Sequence, residues 1–130
     1  MISPHPVDIR FSDIDAFGHV HNAAYFQYFE SARLYYFSQL LGDDWDWNRT
    51  GIMLVENYAQ YLKPLLLNDR AKISLHVTKI GNKSFSLEYQ LSVNDKIHCM
   101  GKSKLVCFDH LRKASITLPE KFKRTLEDLK

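Results

Sequence analysis

The sequence predicts an α+β domain: an antiparallel five-stranded sheet curled around one long central helix, with a short helix at the C-terminal end. Three patterns predict it. A wide apolar arc runs through residues 22–41 at helical spacing. Residues 71–80 and 84–93 alternate apolar and polar, as half-buried strands do. Short turns separate the segments that follow the helix, so neighbouring strands pair antiparallel. A sheet that is apolar on one face needs an apolar partner, and the enclosed helix is the one available.

Taken in order, residues 6–12 alternate, with Val7, Ile9 and Phe11 on one face, and read as the first strand. Residues 13–21 hold Gly18 and no sustained period, and read as a loop. In the helix, at roughly 100° per residue, Tyr25, Phe29, Ala32, Tyr36 and Leu40 centre the apolar face. Phe26, Tyr28, Tyr35 and Phe37 widen it, and Gln27, Glu30, Ser31 and Ser38 leave a narrow polar stripe. Asn22 is a favoured N-cap type and Gly42 a natural stop. Residues 43–51, with two tryptophans among helix breakers, form a connector.

Four strands follow, at 52–62, 71–80, 84–93 and 96–108. Pro64 ends the pairing of the first of them. Gly81-Asn82-Lys83 and Asn94-Asp95 are turns. Gly101 marks a bulge or a close backbone approach. Residues 111–117 are irregular or a short extension. Pro119 suits the first turn of a last helix, in which Phe122, Leu126 and Leu129 recur at helical spacing. No repeat, low-complexity tract or linker divides the chain, so residues 1–130 read as a single domain.

The composition, 45% hydrophobic and 25% charged over 130 residues, suits a globular protein with a sizeable core. A net charge of +2 with scattered Lys and Arg argues against nucleic acid as a partner. The densest basic stretch, 121–124, is flanked by Glu120, Glu127 and Asp128 and reads as a solvated helix face. No leader-like segment and no apolar run of about 18 residues is present, so no membrane association is expected. Cys99 and Cys107 fall on one predicted strand, eight positions apart. At about 3.3 Å per residue they lie far beyond the disulfide limit of about 7 Å. They are expected as buried free thiols, which fits a cytoplasmic setting.

The chemistry concentrates between Asp13 and Asn22. A carboxylate just ahead of a buried helix sits where helix termini stabilise negative charge. Asp13 is assigned a turn or cap. On residue type alone, Asp15 either caps its own loop or performs chemistry. Asp13-x-Asp15 also matches the metal-binding pair of sugar-nucleotide enzymes, but no phosphate-cradling glycine loop accompanies it. His19 and His21 would need further ligands to hold a metal, and no spaced Cys/His set supplies them, so no metal site is expected. Gly18 permits a backbone angle other residues avoid. Glu56 and Asn57, polar in an apolar strand, read as buried partners for the helix or as lining of the site.

The run Asp13-Ile14-Asp15-Ala16-Phe17-Gly18-His19-Val20-His21-Asn22-Ala23-Ala24-Tyr25, with Phe29-Glu30-Ser31-Ala32-Arg33 beyond it, resembles the hot-dog-fold acyl-CoA thioesterases of the 4-hydroxybenzoyl-CoA thioesterase type. Tyr61-Leu62-Lys63-Pro64-Leu65 with Asp69, and Lys79-Ile80-Gly81-Asn82-Lys83-Ser84-Phe85, extend the resemblance over nearly the whole chain. It implies hydrolysis of an acyl-CoA thioester to free acid and CoA, with Asp15 as the catalytic carboxylate, nucleophile or general base. Helix-start amides near Asn22 and Ala23 would polarise the carbonyl. Gly18, His19, Asn22 and Tyr25 are expected at the substrate, and Lys83 and Ser84 at the nucleotide phosphates of CoA. No metal and no cofactor beyond the substrate's own CoA is implied. The expected assembly is a homodimer with sheets joined edge to edge and sites at the interface, or a homotetramer. The family's two consecutive asparagines appear here as His21-Asn22, and Phe17 stands where plant acyl-carrier-protein thioesterases carry an asparagine. The other readings of the same fold are a hydratase or dehydratase of acyl thioesters and a non-enzymatic acyl-CoA binder.

Overall fold

The long helix, α1 (Ala24–Leu41), forms the centre of the computed structural model, which describes residues 2–130. It buries Tyr25, Tyr28, Phe29, Ala32, Arg33, Tyr36, Phe37 and Leu41. The buried face is turned slightly from the predicted one, since Arg33 is inside while Leu40 is half-buried. Gly42, at φ 85°, ends the helix and donates to the Ser38 carbonyl at 3.0 Å. Phe29 stacks flat on Tyr89 of the sheet, with ring centres 4.4 Å apart. A Cβ on Gly101 would collide with the Phe29 ring, so this glycine lets helix and sheet approach closely.

The chain order is β1 (His5–Pro6), a 3-10 turn (Phe11–Asp13), α1, then β2 (Gly51–Tyr61), β3 (Ala71–Ile80), β4 (Ser84–Val93) and β5 (Lys96–Asp109). A two-residue β6 (Ala114–Ser115) and α2 (Glu120–Asp128) follow. The strands form one antiparallel sheet in the order β1-β3-β4-β5-β2, with β6 added beside β5. Ile73, Leu75 and Val77, then Phe85, Leu87, Tyr89 and Leu91, then Cys99, Leu105 and Cys107 supply its buried face. Phe122 of α2 closes the end of the core against Phe37, Phe85 and Trp45. Burial pushes the Cys99 thiol up to about 12 and that of Cys107 to about 11, which makes both packing residues rather than nucleophiles.

Two expectations need correction. The first strand is only His5–Pro6, in register with Ile73 and Lys72, plus a bond from the Val7 amide to Ala71. Beyond it the chain leaves the sheet, because Asp13 folds back onto the Arg10 amide and winds the 3-10 turn, leaving Phe11 82% exposed. On β2, a register shift between Leu54 and Glu56 sets Glu56 opposite Lys104 and Asn57 opposite Ser103. Glu56 is exposed, and Asn57 accepts from the Ser103 hydroxyl at 2.6 Å instead of meeting the helix. The outer edge of β2 pairs with no strand among the described residues. Leu54, Val55, Tyr58 and Leu62 are exposed on and just after it. No helix among the described residues is long and apolar enough to cross a membrane.

Candidate active site

The segment ahead of α1 is a tight hairpin. Ile14 and Val20 bridge, the Asp15 amide donates to the His19 carbonyl at 2.7 Å, and the Gly18 amide returns to the Asp15 carbonyl at 3.2 Å. Gly18 has φ 81° with open space around it, so the backbone angle is what requires glycine there. Asp13 anchors the hairpin from inside. Its Oδ2 accepts from the Tyr28 hydroxyl at 2.7 Å and the Arg10 amide at 3.1 Å, and its Oδ1 faces the Arg10 guanidinium at 3.3 Å. Burial raises the Asp13 pKa, but the Tyr28 and Arg10 hydrogen bonds and the Arg10 charge outweigh it and hold the carboxyl below the ordinary carboxylate value.

Asp15 is arranged differently. Its Oδ1 accepts from the Phe17 amide at 2.9 Å and the His19 amide at 3.2 Å, while Oδ2 has no donor among the described residues. The Phe17 bond is the main reason its pKa is lowered; partial burial opposes it, and the His19 bond and the nearby imidazoles add to it. Asp15 is therefore ionised at neutral pH with one oxygen uncommitted.

A pocket of about 210 Å³ brings Asp15 together with His19, Val20, Asn22, Tyr25, Tyr61, Leu62, Lys63 and Pro64. Its walls are tied to one another. Val20 donates to the Leu65 carbonyl at 2.9 Å, and the Leu62 and Lys63 amides both reach the His98 carbonyl. The Tyr61 hydroxyl donates to the Asn22 carbonyl at 2.8 Å, and its ring stands edge-on to Tyr25 at 4.9 Å. Burial pushes the Tyr25 phenol up to about 12, so it keeps its proton. Tyr61 is the residue that sequence reasoning left without a role. Its register with the buried Cys99 of β5, rather than any pattern in the sequence of β2, sets it beside the pocket.

The helix start also departs from expectation. Asn22 is not the cap: Ala23 already has helical angles (φ −68°, ψ −24°), and the side chain that accepts from this turn is His21. The His21 Nδ1 takes the Ala23 amide at 3.1 Å, and the His21 carbonyl takes the Ala24 amide at 2.9 Å. Of the two amides expected at the carbonyl, Ala23 is thus occupied, while the Asn22 N–H has no acceptor among the described residues.

Gly18 shapes the hairpin but does not line the pocket, and Lys83 and Ser84 lie elsewhere. They sit at the β3–β4 turn, with Ser84 in register with Val106, whereas Tyr61 is in register with Cys99 and so with Leu91. From Ser84 to Leu91 is roughly 24 Å at about 3.4 Å per residue, so within one protomer the turn and the pocket occupy opposite ends of the sheet. Among the described residues no group of three or more His, Cys, Asp or Glu is placed to hold a metal ion.

Residues 9–126 match the family model of the thioesterase-like superfamily. The chain belongs to that superfamily. A coenzyme A- and zinc-bound thioesterase structure from Thermus thermophilus superposes with a TM-score of 0.80 at 31% identity, covering 95% of this chain and 91% of that one. The 1,4-dihydroxy-2-naphthoyl-CoA hydrolase of Nostoc punctiforme is 26% identical over 127 residues, 92% of this chain and 82% of the relative. An uncharacterized Bacillus subtilis protein is 29% identical over 85 residues, 64% of this chain but 56% of that protein's length. The hot-dog fold of this thioesterase-like member, a sheet wrapped on one helix, is the arrangement described above.

Proposed function

We propose that the protein hydrolyses acyl-CoA thioesters, with Asp15 as the catalytic carboxylate and the Asn22 N–H as a donor to the oxyanion. One observation carries this reading: an ionised carboxylate whose Oδ2 has no donor among the described residues shares a pocket with Asn22, which lies in the turn that leads into the enclosed helix and whose amide has no acceptor among them. The Thermus thioesterase solved with coenzyme A and the naphthoyl-CoA hydrolase support the substrate class.

Two amides occupy Oδ1, which leaves Oδ2 as the oxygen able to attack the substrate. In this scheme Oδ2 adds to the thioester carbonyl, the carbonyl oxygen leans on the Asn22 N–H, and the C–S bond breaks. The CoA thiolate departs and takes a proton from solvent. Water then attacks the mixed anhydride, returning the Asp15 carboxylate and releasing the free acid. Single turnover in ¹⁸O-water places label in the acid alone if water attacks the acyl carbon directly, and in Asp15 if it attacks the anhydride at the aspartyl carbon.

The functional unit in this proposal is a dimer joined along the open edge of β2. A two-fold axis across that edge reverses strand direction, so it brings the β3–β4 turn end of one protomer toward the pocket end of its partner. Lys83 and Ser84 then meet the CoA phosphates from across the interface, which the roughly 24 Å separation within a protomer denies them. The other sheet face carries Lys102, Lys104, Glu88 and His76, whose charges disfavour sheet-on-sheet packing into a tetramer. The test is hydrolysis of a broad acyl-CoA panel followed with a thiol reagent, together with mixing of D15N and K83E chains. Activity regained on mixing supports both the hydrolysis and the shared site; a panel in which no thioester is cleaved refutes the hydrolysis.

A further inference from the structure

Three hydrogen bonds converge on His21. Its amide donates to the Asp13 carbonyl at 2.7 Å, its carbonyl accepts from Ala24 at 2.9 Å, and its ring Nδ1 accepts from Ala23 at 3.1 Å. A residue whose carbonyl takes the first bond of a helix while its side chain takes the amide two positions on is an N-cap. Imidazole is not among the usual capping groups, but an unprotonated Nδ1 lies the same number of bonds from the backbone as the Oδ1 of asparagine.

The cap decides which amide remains free. The Asn22 N–H and the His21 carbonyl belong to the same planar peptide and point in opposite directions. With that carbonyl held by Ala24 and the next amide held by the ring, the Asn22 N–H points out of the N-terminal end of the helix, and Asn22 lines the pocket together with Asp15. The Tyr61 hydroxyl pins the following carbonyl at 2.8 Å.

We infer that His21 is a positioning residue for thioester hydrolysis: as a neutral imidazole carrying its hydrogen on Nε2, it caps α1 and aims the Asn22 N–H at the substrate carbonyl. This rests on the hydrolytic reading above. A hydrogen on Nδ1 would face the Ala23 N–H and remove the cap, so the Nε2–H tautomer is the one that fits. The charged group that interacts with the imidazole is Asp15 on the hairpin; Asp13 meets His21 only through its backbone carbonyl, its carboxylate being turned to Tyr28 and Arg10. The first turn of α1 carries no acid, and Lys63 stands on the far wall of the pocket.

The experiment compares H21A, H21N and H21Q with the parent, in kcat and KM separately. Losing one oxyanion donor typically costs about 10²–10³ in rate, and losing only its aim should cost less, so H21A is expected to lower kcat by about tenfold with little change in KM. H21N, with Oδ1 in the place of Nδ1, recovers most of that loss; H21Q, whose amide reaches the Nε2 position, does not. Side-chain ¹⁵N shifts of the parent at neutral pH are expected to report Nδ1 unprotonated. Parent-like kcat in H21A, a loss in H21N as large as in H21A, or a hydrogen on Nδ1 overturns the assignment. If the parent cleaves no acyl-CoA at all, the hydrolytic reading fails, while the ¹⁵N shifts and the melting temperatures of the three variants still decide whether His21 is the cap.

Discussion

Asp13 and Asp15 stand two positions apart on one short segment and are used in opposite ways. Asp13 is buried, and both of its oxygens are engaged by Tyr28 and Arg10. Asp15 lies at the rim of a pocket, with one oxygen held by its own turn and the other left open. Both are ionised for the same physical reason, hydrogen bonds donated to the charged form. What separates the two carboxylates is therefore how many lone pairs the fold has already consumed, rather than the pKa, and in the proposed function that difference divides an anchor from a reagent.

The largest break in this comparison comes from D15N. Removing a catalytic nucleophile typically costs about 10⁴–10⁶ in rate, so kcat should fall by about 10⁴ or more while the melting temperature stays near the parent's. A stability loss comparable to that of an Asp13 variant would place both carboxylates in the anchoring class.

D13N should do the reverse. Hydrogen bonds to a charged group contribute about 1.5–3 kcal/mol, and denaturant unfolding of D13N should show a loss of that order, with a smaller effect on kcat through the hairpin. The sign of the pH dependence sharpens the same point. A carboxyl whose folded pKa lies below its unfolded value, about 3.9 for aspartate, stabilises above that value and loses the contribution as pH falls through the folded one. The parent should therefore lose stability in acid more steeply than D13N, measured as melting temperature against pH. The hydroxyl that feeds Asp13 is a single donor, so Y28F should cost less than D13N.

The smallest effect is expected at Gly18. Alanine at φ 81° carries strain of about 1 kcal/mol, and the surrounding space is open, so G18A should fold with a slightly lower melting temperature. A modest drop in kcat would accompany it if the hairpin tip must hold Oδ1 still, and an unchanged kcat would show that the Phe17 and His19 amides adapt.

Much of the architecture was legible because period and burial agree. The alternation of Ala71–Ile80 and Ser84–Val93 matches the strands end to end, and the Asn94-Asp95 turn takes the left-handed angles its composition invites. The first strand misled because Val7, Ile9 and Phe11 alternate as a strand would, while a longer-range demand, the burial of Asp13, bends the chain away from the sheet. The helix start misled for a chemical reason: propensity ranks asparagine as a cap and is silent on a histidine that presents the same acceptor. Asp15, His19, Asn22 and Tyr25 could be grouped from the sequence because they are close in it, and they line one pocket. Tyr61 became visible only through the sheet register, and the distance of Lys83 from the pocket only through strand length.

Under the sheet, Arg33 donates to the Tyr89 hydroxyl at 3.0 Å, and Ser103, close to Tyr89, donates to Asn57 on the open edge, while the Arg33 Nε has no acceptor among the described residues. Such a chain constrains sequence drift. Arg33 also stands 3.9 Å from the exposed Glu30, but Tyr89 and Ser103 are buried, so replacing either alone leaves its neighbour short of a partner. Substitution at Tyr89 or Ser103 is therefore tolerated best when the neighbours change with it.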